Sequence, residues 1–257
     1  MTAVARRLVL ILGLPVILLV VWWFVSAGST TYYLPPLSAI LDAFGRKWTG
    51  GALRDHVLPS VARLSLGYVL GVGAAVVLGV LIGLVRPVRA ATEPVFEFFR
   101  AFPPPVLVPV IMLFAGIGDT MKVIVIAMGC LWPVLLNTVE GVRGLDGILS
   151  DTSRAYRITG LARLRHLVLR GASPQIMTGA RQAMAIAIIL MVISEMFAPT
   201  NGLGYSIVED QRTFAIPEMW SGIILLGLLG VAYSLLLRVV EWRVLAWHRG
   251  LRRARRS

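Results

Sequence analysis

Apolar residues occur in six long stretches along the chain, and charged residues gather in the segments between them. A helix needs about 20 apolar residues to cross a bilayer, because the hydrocarbon layer is ~30 Å thick and each residue rises ~1.5 Å. We predict a transmembrane helix in each stretch: residues 8–27, 64–85, 101–118, 123–139, 177–198 and 219–237. The predicted fold class is therefore an all-α integral membrane protein with about six transmembrane helices.

Two segments depart from this plain pattern. Residues 37–59 mix large apolar side chains with charged ones, which is typical of an amphipathic helix lying at the membrane surface. The third stretch contains Pro103, Pro104, Pro105 and Pro109. Each proline removes a backbone donor, so we expect the helix to start there or to be kinked.

The chain shows no convincing internal repeat and no low-complexity linker, which favours one transmembrane domain over residues 35–245. A first helix and an outer loop precede this domain in residues 1–34, and a basic tail follows it in residues 246–257. The first apolar stretch is longer than that of a usual signal peptide and ends near two adjacent tryptophans. We therefore expect the first helix to be retained.

Composition supports the membrane interpretation. Hydrophobic residues make up 57% of the chain and charged residues 15%, with a mean hydropathy of +0.80. A soluble core would need helices with a polar face, whereas several segments here are apolar on all sides. The net charge of +12 comes almost entirely from arginines that flank the apolar stretches. This placement predicts contact with anionic lipid headgroups and excludes a nucleic-acid partner, since no basic globular domain presents the charge.

The distribution of arginine also predicts the orientation of the chain in the membrane. Segments rich in Lys and Arg face the cytoplasm. The segment 140–176 is strongly basic, whereas the segment 199–218 is mainly acidic. Both termini are therefore expected to be cytoplasmic, with four inner segments: residues 1–7, 86–94, 140–176 and 238–257.

The chain lacks the residues that an ATP site would need. A phosphate-binding loop ends in Gly-Lys-Ser/Thr, but Lys47 and Lys122, the only two lysines, do not follow glycine. The three histidines lie in separate segments without ligand spacing, and no catalytic motif stands out. We predict that the chain is not an enzyme and holds no cofactor or metal. Nucleotide energy, if used, would come from a partner protein.

The basic inner segment between the fourth and fifth stretches predicts a short helix followed by a turn. Asp151 or Ser153 can cap the N-terminus of this helix, and Gly160 can end it. A second basic amphipathic stretch then leads into the fifth apolar stretch. Such a helix is either a contact point for a cytoplasmic motor or a re-entry helix without a partner. The spacing alone leaves both readings open.

Several motifs resemble those of the permease subunits of bacterial ATP-binding-cassette importers, and more closely the nitrate, sulfonate and taurine branch. The resemblance covers roughly residues 35–245, and each motif alone is weak. The matching positions are Pro36, Ser60, Arg63 and Gly67; Arg100, Pro103, Phe114, Gly116 and Gly118; Ala155 and Gly160; Val168, Leu169, Gly171, Ala172 and Pro174; Gly179 and Arg181; Ser194, Glu195 and Met196; and Gly202 to Tyr205 with Ile207.

The resemblance implies a type I importer permease fold, in which a dimer of permeases sits over two ATPases that hold ATP and Mg. It also implies an extracytoplasmic solute-binding protein as a partner and the bacterial cytoplasmic membrane as the location. The cytoplasmic loop of about residues 150–174 corresponds to the family's coupling loop. The implied ATPase-docking residues are Arg154, Ala155, Tyr156, Arg157 and Gly160.

The coupling loop also departs from the family pattern. Arg154 stands where the family has glutamate, Tyr156 stands at its second alanine, Arg170 stands at its proline, and the loop looks a few residues shorter. Reversing a charge at a partly exposed site changes the local electrostatic contribution by ~1 kcal/mol. We therefore hypothesise an ATPase surface adjusted to this chain, or a heterodimer with a permease that keeps the usual loop.

Polar residues within the apolar stretches are candidates for a translocation path. These are Asn137, Gln182, Ser194 and Glu195. Hydrogen bonding between helices explains the first three equally well. A carboxylate at the depth of Glu195 should face protein or water, so it either lines the path or bonds the backbone of the 201–204 turn. The glycines of the second stretch favour close helix packing over contact with a solute: Gly67, Gly71, Gly73, Gly79 and Gly83.

The leading hypothesis is the membrane-spanning subunit of an ATP-driven importer of a small anion such as a sulfonate or nitrate. An ion-coupled secondary transporter is one alternative, although it would normally show acidic residues in the middle of a span and repeat symmetry. A non-transporting membrane scaffold is another.

Overall fold

The computed structural model describes residues 3–29, 31, 33–100, 102–198 and 200–247. Within these ranges the chain is helical and contains no strand. The predicted basic tail lies outside the described residues from position 248 onward. The helices are α1 (Ala3–Ala27), α2 (Leu37–Trp48), α3 (Leu58–Leu84), α4 (Arg86–Arg100), α5 (Leu107–Ala115), α6 (Asp119–Arg143), α7 (Gly147–Ala155), α8 (Gly160–Arg163), α9 (Leu169–Phe197), α10 (Leu203–Arg212) and α11 (Ile216–Val244).

Four helical segments of the described chain are long and apolar enough to cross a membrane. They are Leu53–Leu84, Asp119–Arg143, Gly160–Phe197 and Ile216–Val244. Shorter apolar helices occupy Gly13–Ala27 and Pro104–Ala115, so all six predicted apolar stretches are helical. The prediction of an all-α multi-pass membrane protein is confirmed.

The third predicted stretch is shorter than expected. Residues Pro104–Val106 form a single 3-10 turn, and α5 then runs for only nine residues, about 14 Å. The prolines account for this break, because Pro104 and Pro105 cannot donate to a preceding helical turn. The segment 86–94, predicted as an inner loop, instead begins α4, which follows α3 after Val85.

The predicted surface helix at residues 37–59 is also divided. Only α2 is a separate amphipathic helix, and it buries Leu37, Ile40 and Ala43. Trp48 at its end donates from Nε1 to Ser221 Oγ of α11 at 3.0 Å. Residues from Leu53 onward already belong to the long helix of the second span, so the prediction of a surface helix to residue 59 is wrong there.

Helices α3, α6 and α9 form the centre of the bundle, and glycines allow α3 to approach α6 closely. A Cβ at Gly67 would lie 2.7 Å from Ile126 Cβ, and one at Gly79 would lie 2.6 Å from Thr138 Cβ. A Cβ at Gly71 would overlap the carbonyl oxygen of Ala127. Small residues permit such close packing between membrane helices. The prediction is confirmed for these glycines, whereas Gly73 has no neighbour within 4 Å.

Candidate functional site

The helix predicted between the fourth and fifth apolar stretches, α7, begins earlier than predicted. Asp146 occupies the N-cap position, and its Oδ1 accepts the backbone N–H of Ile148 at 2.8 Å. Asp151 and Ser153, the predicted caps, lie inside the helix instead. The cap prediction was wrong because Asp146 already satisfies a free N–H of the first turn.

The end of α7 is a Schellman turn with an arginine at the position where glycine is usual. Arg157 N–H donates to the carbonyl of Arg154 at 3.0 Å, and Ile158 N–H donates to that of Ser153 at 2.9 Å. Arg157 has φ +56°, a left-handed conformation that costs an L-residue roughly 1–2 kcal/mol. The prediction that Gly160 ends α7 is therefore wrong. Gly160 instead begins α8.

Helix α7, the turn after it and the start of α8 present large apolar side chains to the surface. Tyr156 and Leu161 are each 77% exposed, and Ile148 is 75% exposed. The predicted docking residues Arg154, Ala155, Tyr156, Arg157 and Gly160 are likewise all exposed and lie on this one segment. Such a mixture of apolar and arginine side chains is typical of an interaction surface.

Arg154, which stands at the glutamate position of the family, is paired within its own helix. Its guanidinium donates to Asp151 Oδ1, and both side chains are about 70% exposed. An exposed pair at this spacing contributes at most about 1 kcal/mol. The positive charge of Arg154 is therefore partly offset before any partner binds.

A hydrogen bond and a continuous helix connect α7 to α9. Arg163 donates to Ser150 Oγ of α7 at 3.2 Å. Helix α8, a π-helical turn at Leu164–Val168 and α9 form one continuous helix of 38 residues, about 57 Å long. The Arg163–Ser150 bond therefore connects α7 to the helix of the fifth span.

At the opposite end of the bundle, Glu195 is the centre of a buried polar network. It is fully buried, and its Oε1 accepts from Arg63 Nη1 at 2.9 Å and from Ser60 Oγ at 2.7 Å. Its Oε2 accepts the backbone N–H of Gly204 at 2.9 Å. This last bond agrees with the prediction that Glu195 bonds the backbone of the 201–204 turn.

Further contacts join this network to α6. Arg63 Nε donates to Asp119 Oδ1 at 2.9 Å and Nη1 donates to the carbonyl of Asn201 at 3.1 Å. Lys122 is buried, and its Nζ donates to Thr200 Oγ1 at 3.0 Å. Sequence reasoning used Lys122 only to exclude a phosphate site. The signal that could have found its role is its position at the edge of an apolar stretch, at the end of the bundle where Glu195 also lies.

The candidate path residues fall into two separate places. Asn137 Nδ2 donates to Gln182 Oε1 at 3.2 Å, which joins α6 to α9. Ser194 is buried and donates to the carbonyl of Met191 at 2.9 Å. Glu195 lies 13 residues after Gln182, about 20 Å along α9. The structure therefore brings Asn137 and Gln182 together and keeps Ser194 and Glu195 apart from them.

A cavity of about 330 Å³ adjoins the Asn137–Gln182 pair. Aromatic residues line it, and the rings of Phe99 and Trp132 stack with centroids 5.4 Å apart and planes 11° apart. No charged side chain is among the described residues that line this cavity. The amides are therefore its main polar groups.

Helix α10 is tied to α2 by an ion pair between Lys47 and Asp210. Burial raises the pKa of Asp210, and the Lys47 ammonium offsets part of this rise. Because the folded pKa lies above the ordinary value, the contribution of this carboxyl to stability decreases as pH rises through the folded pKa. Lys47 therefore recovers only part of the cost of burying Asp210.

The amino-acid sequence of the chain is similar to those of known permease proteins. The chain is 26% identical over 251 residues to the taurine transport system permease protein of Escherichia coli, covering 95% of this chain and 91% of that protein. It is 25% identical over 235 residues to the nitrate import permease protein of Leptolyngbya laminosa, covering 89% of this chain and 84% of that protein.

A family model described as the inner membrane component of binding-protein-dependent transport systems matches residues 67–246. The matched range contains the helix α7, the Asn137–Gln182 pair and Glu195. Because it covers well over half of the chain, the protein belongs to this family of ABC transporter permeases, in the branch of the sulfonate, taurine and nitrate permeases.

Proposed function

We propose that this chain is the membrane-spanning permease subunit of an ATP-driven importer and that it forms the solute path. The observation that carries the proposal is the exposed apolar and arginine surface of residues 148–161, which leads from α7 into the start of a continuous 38-residue helix. The partners would be ABC ATPase subunits that hold ATP and Mg, an extracytoplasmic solute-binding protein and a second permease. The location would be the bacterial cytoplasmic membrane, with both termini in the cytoplasm.

The α7 surface suits docking of an ATPase. Tyrosine and arginine provide much of the binding energy at protein interfaces, and Tyr156, Arg154 and Arg157 lie together here. The left-handed backbone of Arg157 also supports a functional role, because the sequence keeps arginine where glycine would relieve the conformational cost. The ATPase would thereby move α7, and α9 would move with it.

The Asn137–Gln182 pair and the aromatic cavity beside it are the proposed part of the solute path in this chain. Amide N–H groups can donate to a sulfonate or nitrate oxygen without the desolvation cost of a buried cation. A small anion is proposed because the relatives are named for taurine and nitrate. Ser194 and Glu195 are not proposed here, because both are buried and bonded within the chain.

The docking proposal predicts that Leu161→Ala lowers binding of the cognate ATPase about tenfold or more, since Leu161 is an exposed apolar contact. Co-purification after co-expression measures this effect. Leu113→Ala is the matched control, because Leu113 is 82% exposed but lies on α5. Equal ATPase recovery with both variants would count against docking on the 148–161 surface.

The path proposal predicts that Asn137→Leu lowers uptake of the solute at least about tenfold while ATPase binding persists, because the proposed path loses one of its two amides and the other loses its hydrogen-bond partner. Uptake is measured with labelled taurine and labelled nitrate in vesicles. Gln211→Leu, an exposed amide on α10, should transport normally. Uptake that continues without any ATPase would instead support an ion-coupled transporter.

The arginine at position 154 leads to the heterodimer hypothesis. We propose that the ATPase surface is adjusted to the Asp151–Arg154 pair, or that a second permease carries the usual glutamate. If the chain purifies as a homodimer that binds one standard ATPase on both sides, the heterodimer hypothesis fails.

A further inference from the structure

A groove of about 520 Å³ lies between α9 and α11. Its wall is apolar and includes Met184 and Ile188 of α9 and Leu237 of α11. Gly230 leaves the groove unfilled, since a Cβ there would have only Ile188 Cδ1 within 4 Å, at 3.8 Å. Most of helix α11 is exposed, and its only buried residues in the described chain are Ile216, Ser221 and Gly222. In a membrane the groove beside it therefore faces lipid.

Two arginines line one end of the groove, Arg181 of α9 and Arg238 of α11. Arg181 forms an ion pair with Glu241, which holds its guanidinium at the groove. Arg238 forms no ion pair with any residue in the described part of the chain. The three side chains together carry a net charge of +1, which complements a single phosphodiester.

The charged end of the groove lies at the depth of a headgroup. Helix α11 carries no charge from Met219 to Leu237, about 28 Å, which is close to the thickness of the hydrocarbon layer. Arg238 is the first charge beyond that apolar length. Further arginines near the end of the chain favour an acidic membrane surface in general: Arg249, Arg252, Arg253, Arg255 and Arg256.

We propose that the α9–α11 groove binds an acidic phospholipid. The acyl chain would lie against Met184, Ile188 and Leu237, and the phosphate would accept hydrogen bonds from Arg181 and Arg238. Basic pockets between membrane helices bind anionic headgroups, and guanidinium groups match phosphate oxygens in geometry. The site is independent of the solute and of the ATPase, so it stands whether or not the proposed function does.

Native mass spectrometry of the full-length protein tests this site with added phosphatidylglycerol and with phosphatidylcholine of the same acyl chains. The protein should retain phosphatidylglycerol in preference. Arg238→Gln should lower that preference about fivefold. Arg243→Gln removes a charge from the same helix outside the groove and should leave the preference within roughly twofold. Protection of the Cys130 thiol verifies that each variant is folded, because Cys130 is buried.

A groove-filling variant tests the apolar part separately. Gly230→Phe should displace the bound lipid, whereas Gly227→Phe should not, since Gly227 has no neighbour within 4 Å and does not line the groove. Unchanged lipid retention in both Arg238→Gln and Gly230→Phe would overturn the proposal. So would equal binding of glycerol phosphate without acyl chains, or cross-linking that shows a second copy of the chain covering the groove.

Discussion

Replacing Glu195 with alanine is expected to destabilise the protein by about 3–5 kcal/mol, because the buried Arg63 would lose its buried carboxylate partner and keep only the exposed one, Asp119. The side chain of Arg63 is only 3% exposed and that of Glu195 is 0% exposed, so water cannot replace the lost carboxylate. The variant would also leave the N–H of Gly204 without its acceptor. The free energy of unfolding should decrease accordingly.

Unfolding is measured by the reaction of the single cysteine, Cys130, with a thiol-reactive dye as temperature rises, since this thiol is buried in the folded protein. Glu140→Ala is the control, because Glu140 is an exposed carboxylate paired with Arg143 and should contribute at most about 1 kcal/mol. Glu195→Gln keeps the shape and removes the charge, so it should give an intermediate loss. Equal stability of Glu195→Ala and Glu140→Ala would contradict the role of the network.

Replacing Gly71 with valine is the second change expected to have a large effect, with a loss of about 1–3 kcal/mol or more. The added side chain would meet the backbone carbonyl of Ala127 and the Cβ of Cys130, and backbone atoms cannot rotate away. Helices α3 and α6 would have to separate. The same thiol-reaction experiment measures the change in unfolding temperature.

Gly73→Val is the matched control, because it places the same side chain on the same helix where nothing lies within 4 Å. Both substitutions have the same effect on helix propensity, so the difference between them isolates the contact with α6. If the Gly71→Val and Gly73→Val variants unfold at the same temperature, the close approach of α3 to α6 is not required for stability.

The sequence allowed prediction of the features that depend on local pattern. The lengths of the apolar stretches predicted membrane helices, and the glycine spacing on α3 predicted a packing face that the structure confirms at Gly67, Gly71 and Gly79. The proline run predicted the break before α5. Helix ends were less accurate: Asp151 or Ser153 was expected to cap α7, but several residues could serve, and the choice of Asp146 depends on where the backbone of α6 stops.

The candidate sites show the same division. The exposed surface of Arg154 to Gly160 could be predicted because it lies in one continuous segment. The pair Asn137–Gln182 could be named residue by residue but not as a pair, since 45 positions separate them. The groove with Arg181 and Arg238 had no signal of its own in the sequence, because each arginine alone looks like an ordinary flank of an apolar stretch.

By itself the sequence determined that the chain is an all-α membrane protein of this permease family, because hydrophobic length and local motifs do not depend on distant residues. Only the tertiary structure decided the partners of its polar residues. Arg63 and Glu195 are 132 positions apart, and their ion pair depends on the rotation and axial register of α3 against α9. These are set by packing of whole helix faces, which no single stretch of sequence contains.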